Sequence, residues 1–115
     1  MPTIKEIRAT VRPNRVPRLR EALRAIPGFP GVTLYRAQGF SAPSTTPARR
    51  SVRDELADFS TKVMLSVVAD EALVPAIRDA IFASCRTGEL GDGVVWVLDV
   101  DDARRIRDGE VVGAA

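Results

Sequence analysis

The residues with the clearest potential for chemistry form a glycine-rich stretch at residues 87–93, TGELGDG. Three glycines between a predicted helix and a predicted strand let successive backbone N–H groups converge on an anion, as in a phosphate-binding nest. A tight turn that needs positive φ explains the same glycines equally well. Two arginines follow the next strand, Arg105 and Arg107, and side chains at this spacing point in different directions in regular structure. A shared phosphate clamp therefore requires an irregular segment or a contribution to another subunit.

The composition excludes several kinds of catalytic site. The chain has 115 residues, no histidine and one cysteine, Cys85, so the usual zinc sites, a Ser-His-Asp triad, a Cys-His pair and an internal disulfide cannot be built. An enzyme would need a carboxylate such as Asp58 or Asp92 as its general acid or base, and the sequence supplies no paired partner for either. We therefore predict a single domain at residues 1–115 that is not an enzyme and holds no metal.

Charge is divided unevenly between the two halves of the chain. Residues 1–53 carry 11 basic and two acidic side chains, a net charge of +9, whereas residues 54–115 carry six basic and 13 acidic side chains, a net charge of −7. This division suggests either a nucleic-acid or acidic partner for the basic half, or one fold whose halves neutralise each other, and we favour the second. The sequence shows no signal peptide and no run as long as a membrane span, so we expect a cytoplasmic protein.

Hydrophobic periodicity predicts four strands and two helices in the order βαββαβ. Residues 3–11 alternate, with Ile7, Ala9 and Val11 on the apolar face, which indicates a half-buried strand. Asp70 is placed to cap the second helix. Residues 101–110 are too charged for the core and predict a short helical turn that leads to a surface tail. The other predicted elements are helices at residues 16–26 and 71–85 and strands at residues 32–40, 62–68 and 94–98.

This order of elements predicts the ferredoxin-like α+β fold, a four-stranded antiparallel sheet with two helices on one face. The other face of the sheet needs a cover, which favours a homo-oligomer. The same fold hosts RNA-recognition modules, which stack bases on exposed aromatic side chains of the inner strands. The predicted third strand, residues 62–68, has no aromatic residue, so we predict no nucleic-acid partner.

The interval at residues 41–61 is about 20 residues long, whereas connections are usually about 4 to 6 residues. Such an excess favours a functional loop, and a disordered linker is the alternative. The sign of the charge changes inside this interval, where a partner could reach it. We predict that a partner docks on Arg49, Arg50, Arg53, Asp54 and Glu55.

Several of these motifs resemble those of one family. The runs CRTGELGDG at residues 85–93 and RIRDGE at residues 105–110 are similar to the two C-terminal signatures of the PII nitrogen-regulatory proteins. The N-terminal half fits as well, and the spacing from Gly39 to Lys62 resembles the interval that the long T-loop occupies in that family. The matching N-terminal positions are Arg12-Pro13, Glu21-Ala22-Leu23, Val32-Thr33 and Gly39-Phe40.

The resemblance implies a homotrimeric cytoplasmic signalling protein that binds adenine nucleotides in clefts between subunits. It also implies that the loop at residues 41–61 docks on a membrane transporter or a metabolic enzyme. In the family the glycine turn cradles phosphates, and two arginines reach across from the neighbouring subunit. By this resemblance the nucleotide site comprises Thr33, Gly39, Val68, Thr87, Gly88, Gly91, Asp92 and Gly93, with Arg105 and Arg107 from the neighbour.

Three departures from the family pattern modify this expectation. Val94 stands where the family has a phosphate-binding lysine, and Ser41-Ala42-Pro43 stands where it has Gly-Arg-Gln. Two cationic contacts are therefore missing, which favours ADP or AMP over ATP. Pro43 has no side-chain oxygen for magnesium, so we expect no magnesium and 2-oxoglutarate site. Lys62 matches the lysine that contacts 2-oxoglutarate in the family, but without the metal we expect it to be solvated or ion-paired.

An alternative keeps the trimer and changes its ligand. In this interpretation the nucleotide site has decayed, and the protein is a ligand-independent interaction module. It could equally serve another small ligand, for example one linked to bicarbonate or to metal stress.

Overall fold

The computed structural model describes residues 3–40 and 60–113. Most of the predicted loop, residues 41–59, lies outside these ranges. The predicted docking residues Arg49, Arg50, Arg53, Asp54 and Glu55 therefore lie outside the described residues.

The described residues form one antiparallel sheet and two α-helices. The strands lie in the order β2-β3-β1-β4, and the two helices pack on one face, which confirms the predicted ferredoxin-like fold. A single 3-10 turn precedes each helix, at Pro13–Arg15 and Glu71–Leu73. The strands are β1 (Ile4–Val11), β2 (Thr33–Gly39), β3 (Ser60–Asp70) and β4 (Val94–Val100), and the helices are α1 (Val16–Arg24) and α2 (Val74–Cys85).

Proline and aspartate explain where the helices begin. Each helix has a proline in its first turn, Pro17 in α1 and Pro75 in α2, where the missing N–H has no intrahelical partner to lose. The carboxylate of Asp70 accepts a hydrogen bond of 2.9 Å from the backbone N–H of Ala72, which confirms the predicted cap. The cap acts on the 3-10 turn at Glu71–Leu73, and α2 follows from Val74.

The core lies between the sheet and the two helices. Ile7, Ala9 and Val11 of β1 are buried, which confirms the predicted apolar face of this strand. The central position of β1, between β3 and β4, brings the basic and acidic halves of the chain together. An ion pair between Lys5 and Asp99 joins these halves directly. The other core residues are Leu19 and Leu23 of α1, Ile77, Ile81 and Cys85 of α2, and Leu65, Val67 and Ala69 of β3.

Most predicted elements differ from the observed ones at one or both ends. The third strand was expected at residue 62 but begins at Ser60, because Ser60 pairs with Gly39 and extends the β2–β3 ladder into the predicted loop. The segment at residues 101–110 contains the expected helical turn, closed by the hydrogen bond from the Gly109 N–H to the Arg105 carbonyl oxygen, but this turn is the tip of a hairpin with a bridge between Arg104 and Val111. The φ of Gly109 is +73°, a left-handed conformation that ends any helical turn at this point.

None of the helices in the described ranges, residues 3–40 and 60–113, has the length and apolar character needed to cross a membrane.

Candidate site at the glycine turn and the C-terminal arginines

The glycine turn at residues 87–93 is organised around the side chain of Asp92. One carboxylate oxygen, Oδ2, accepts hydrogen bonds from the backbone N–H groups of Thr87 at 2.7 Å and Gly88 at 2.8 Å. The other oxygen, Oδ1, accepts a hydrogen bond from the hydroxyl group of Thr87. The sequence predicted that amides of this turn converge on an anion, and here two of them converge on the carboxylate of Asp92.

The electrostatics of the turn keep Asp92 ionised. Hydrogen bonds from the Thr87 hydroxyl and the Thr87 backbone N–H lower the pKa of this carboxyl far below its ordinary value of 3.8, although partial desolvation opposes them. The backbone N–H of Gly88 and the guanidinium of Arg12, whose Nε lies 3.4 Å from Oδ1, lower the pKa further. The anion that these N–H groups and Arg12 contact is therefore the turn's own carboxylate.

This arrangement predicts how the stability of the protein depends on pH. Because the fold lowers the pKa of Asp92, the ionised carboxylate stabilises the folded state above pH 3.8, and this contribution is lost as the pH falls further. Asp92→Asn should therefore lower the free energy of unfolding at pH 7, and the gap between the two proteins should narrow below pH 3.8. Urea unfolding at fixed protein concentration across pH 2 to 8 measures the difference in free energy of unfolding between the two proteins. A difference that does not change with pH would contradict this role of the charge.

Gly93 allows the turn to lie directly against β1. Its φ is +106°, and a Cβ atom added here would lie 1.6 Å from the carbonyl oxygen of Thr10. No side chain fits that space. The alternative explanation of the glycines, that they permit a tight turn, is therefore correct for this position.

Two cations brace the turn from the side of the sheet. Arg12 Nη2 donates to the carbonyl oxygen of Leu90 at 2.7 Å, and Lys62 Nζ donates to that of Gly91 at 2.6 Å. Lys62 was expected to be solvated or ion-paired. It is only 9% exposed, so the solvated alternative is wrong, and its hydrogen bond goes to a carbonyl oxygen. Its burial, and secondarily the charge of Arg12, lower the pKa of the ammonium group.

The sequence analysis did not predict that Arg12 and Lys62 both donate hydrogen bonds to the glycine turn, although strand pairing indicates that they lie together. Val11 pairs with Val63 across the antiparallel ladder, which places Arg12 and Lys62 together at the same end of the sheet. Recognising the pair requires the register of β1 and β3. A match of single positions to a family motif does not provide that register.

The predicted nucleotide-binding residues fall into two groups at opposite ends of the sheet. At one end, Gly39, Gly91 and Gly93 line a cavity of about 370 Å³ beside Lys62. Thr87 and Gly88 lie in the same turn as Gly91, joined to it through Asp92.

At the other end, Arg105 and Arg107 line a cavity of about 500 Å³ together with Val68 and Asp70. Thr33 lies between the two groups, on the edge strand β2, opposite Ser66 of β3. The fold thus brings the glycines together and the arginines together, but it does not bring the glycines to the arginines within one chain.

The two arginines share one anion of their own. The Asp108 oxygen Oδ2 lies 3.2 Å from Nη2 of Arg105 and 3.5 Å from Nη2 of Arg107. The sequence predicted that a shared phosphate clamp needs an irregular segment or a contribution to another subunit, and the hairpin at residues 104–111 is such an irregular segment.

Comparison with known proteins gives one consistent result. The model of the family "Nitrogen regulatory protein P-II" matches residues 4–110. The P-II protein of Rhodospirillum rubrum is 34% identical over 112 residues, which cover 97% of this chain and 99% of that protein. P-II 1 of Escherichia coli is 32% identical with the same coverage of both chains.

A solved structure agrees with these relatives. The crystal structure of Arabidopsis thaliana PII bound to citrate superposes with a TM-score of 0.75 at 32% identity, covering 96% of this chain and 87% of that one. The family match and the relatives cover almost the whole chain at above 30% identity. The chain therefore belongs to the nitrogen regulatory protein P-II family.

Proposed function

We propose that this P-II family protein is a cytoplasmic regulator without enzymatic activity of its own. It forms a homotrimer that binds an adenine nucleotide in the cleft between two subunits, with ADP or AMP preferred over ATP. Nucleotide binding changes the loop at residues 41–61, and this loop regulates a membrane transporter or a metabolic enzyme. Ligand acts by stabilising one loop conformation for which it has higher affinity.

One observation carries the proposal, namely the separation of the two anion-binding groups in a single chain. Lys62, beside the glycine turn, and Val68, beside the arginines, lie on the same strand. At the usual rise per residue they are roughly 20 Å apart, too far for one phosphate group to bridge. A site that uses both groups needs the turn of one chain and the arginines of another, which a head-to-tail ring of identical subunits provides.

The open face of the sheet supports the same assembly. Tyr35, Val94 and Leu98 are 45%, 65% and 41% exposed there, although their side chains are apolar or aromatic. Arg8 lies across the centre of this face, with Cζ 5.6 Å from the ring centroid of Trp96 and Nη2 donating to the Tyr35 hydroxyl at 2.6 Å. A mixture of exposed apolar residues and an arginine stacked on an aromatic ring is typical of protein interfaces. We propose that the other two subunits cover it.

The charges at the turn support the preference for fewer phosphates. Asp92 places a fixed negative charge inside the turn, and Val94, which is well exposed beside it, offers no cation to offset that charge. Each additional phosphate adds negative charge that lacks a partner here. The citrate in the Arabidopsis PII structure is consistent with a small anion as the ligand of this fold.

Isothermal titration calorimetry against ATP, ADP, AMP and cyclic AMP tests the proposal. We expect saturable binding of ADP or AMP, weaker binding of ATP, and a trimer by light scattering. Absence of heat for all four ligands in a folded trimer would contradict the proposal that the protein binds an adenine nucleotide.

The alternative is a P-II trimer with a decayed nucleotide site. One observation favours it, because Asp92 already occupies the N–H groups of Thr87 and Gly88. In that case the protein is a ligand-independent interaction module or binds another small ligand such as bicarbonate. The same titration separates the two functions.

A further inference from the structure

Asp108 holds both of the arginines that the proposed site requires. Besides the contacts of Oδ2 with the two guanidinium groups, Arg105 Nε donates to Oδ1 at 3.2 Å and to Oδ2 at 3.3 Å. Oδ1 also accepts the backbone N–H of Glu110 at 2.9 Å. The carboxylate thus accepts bonds in the same way that a bound phosphate would, and the two cations are partly neutralised before any ligand arrives.

The hairpin fixes this carboxylate in place. The backbone N–H of Arg105 donates to the carbonyl oxygen of Glu110 at 2.9 Å, and that of Gly109 donates to the carbonyl oxygen of Arg105 at 2.7 Å. The backbone on both sides of Asp108 is therefore hydrogen-bonded, and the bond from the Glu110 N–H to Oδ1 holds the carboxylate beside the two guanidinium groups. An incoming anion has to compete with it for the same guanidinium groups.

We propose that Asp108 is an internal counter-anion that competes with phosphate groups for Arg105 and Arg107 and so selects ligands of low charge. The inference rests on the proposed function, and it extends that function by naming a residue that sets the number of phosphates tolerated. Repulsion between Asp108 and the ligand increases with each phosphate charge, so the penalty is absent for adenosine and largest for ATP. Asp92 is expected to disfavour ligands of high charge in the same way at the glycine turn, whose N–H groups it accepts.

The test compares Asp108→Asn with a matched control, Asp102→Asn. Asparagine keeps a carbonyl oxygen that can accept the N–H of Glu110 but removes the charge. Asp102 belongs to the same hairpin region and pairs with Arg104 instead, its Oδ1 lying 3.3 Å from the Arg104 Nε. Both variants change the net charge equally, so a difference between them reports the position of the charge.

The measurement is calorimetric titration of both variants and the unmodified protein with adenosine, AMP, ADP, ATP and inorganic pyrophosphate. We expect Asp108→Asn to bind ADP about 3- to 10-fold more tightly than the unmodified protein, with a larger gain for ATP and none for adenosine. Asp102→Asn should change each affinity by less than about twofold.

The outcomes separate this inference from the proposed function. Equal or weaker binding of ADP and ATP by Asp108→Asn would show that the carboxylate orients the arginines, and the inference would be wrong while the nucleotide function stands. If no protein binds a nucleotide but Asp108→Asn gains affinity for pyrophosphate, the inference stands and the proposed function fails. If none of the proteins binds any of the five compounds, both are wrong.

Discussion

Replacing Gly93 by alanine is expected to lower the free energy of unfolding by about 3 to 5 kcal/mol, because two separate costs combine at this position. The first is backbone strain, since the φ of Gly93 is +106°. The second is steric, since the new Cβ would lie 1.6 Å from the carbonyl oxygen of Thr10. The turn would have to move away from β1, and the bracing contacts of Lys62 and Arg12 would be lost with it.

Gly88→Ala is the matched control for this prediction. Gly88 also has positive φ, at +86°, but an added Cβ meets nothing within 4 Å. We expect it to cost only about 1 to 2 kcal/mol, the strain alone. Urea unfolding at the same protein concentration measures both variants, and equal losses for the two would show that contact with Thr10 does not matter.

Replacing both Arg105 and Arg107 by alanine is expected to weaken ADP binding by about 100-fold or more. Charge-assisted hydrogen bonds contribute about 1.5 to 3 kcal/mol each, and the proposed site loses two such donors. The stability of the chain should change little, because Arg107 is 81% exposed at its side chain and Arg105 pairs only with the neighbouring Asp108 among the described residues. Calorimetry with ADP measures the affinity, and light scattering measures the assembly.

A trimer that persists without binding ADP is the expected result for the double variant. If either substitution dissociates the trimer, the arginines are interface residues and their assignment to the nucleotide site is wrong. Retained ADP affinity in an intact trimer would equally contradict the assignment.

The fold could be predicted from the sequence because its strands and helices are strongly periodic. The alternation in residues 3–11 and the apolar run at residues 62–68 indicate two strands, and the structure places them side by side. In the C-terminal segment the short helical turn was predicted, but the hairpin that contains it was missed, because the charges indicate only exposure. Gly109, with its positive φ, ends the turn and lets the chain return to pair with Arg104.

The site could be predicted only as a set of positions. The sequence identifies the glycines and the arginines, but it does not show which internal groups occupy their donors. Asp92 and Asp108 acquire that role mainly through local backbone geometry. Asp92 accepts N–H groups from Thr87 and Gly88, and Asp108 contacts the guanidinium groups of Arg105 and Arg107. The guanidinium of Arg12, from the other half of the chain, adds a contact to Asp92. The burial of Lys62 depends likewise on the approach of Gly91 from another part of the chain.

The central claim is that the nucleotide site is shared between two subunits, and mixing two inactive variants tests it most directly. One variant carries Arg105→Ala and Arg107→Ala and keeps the turn. The other carries Gly91→Asp, which places a fixed carboxylate beside Arg12 and Lys62 and keeps the arginines. Because the φ of Gly91 is +94°, the aspartate strains the turn, and light scattering has to verify that each variant alone forms trimers. Neither variant alone should then bind ADP.

Both variants are unfolded and refolded together in equal amounts, native mass spectrometry verifies the mixed trimers, and calorimetry with ADP counts the sites. A shared site predicts that about a quarter of the sites recover, those in which an intact turn meets intact arginines from its neighbour. Mixed trimers that bind no ADP, while unmodified protein refolded in the same way does, would contradict the shared site.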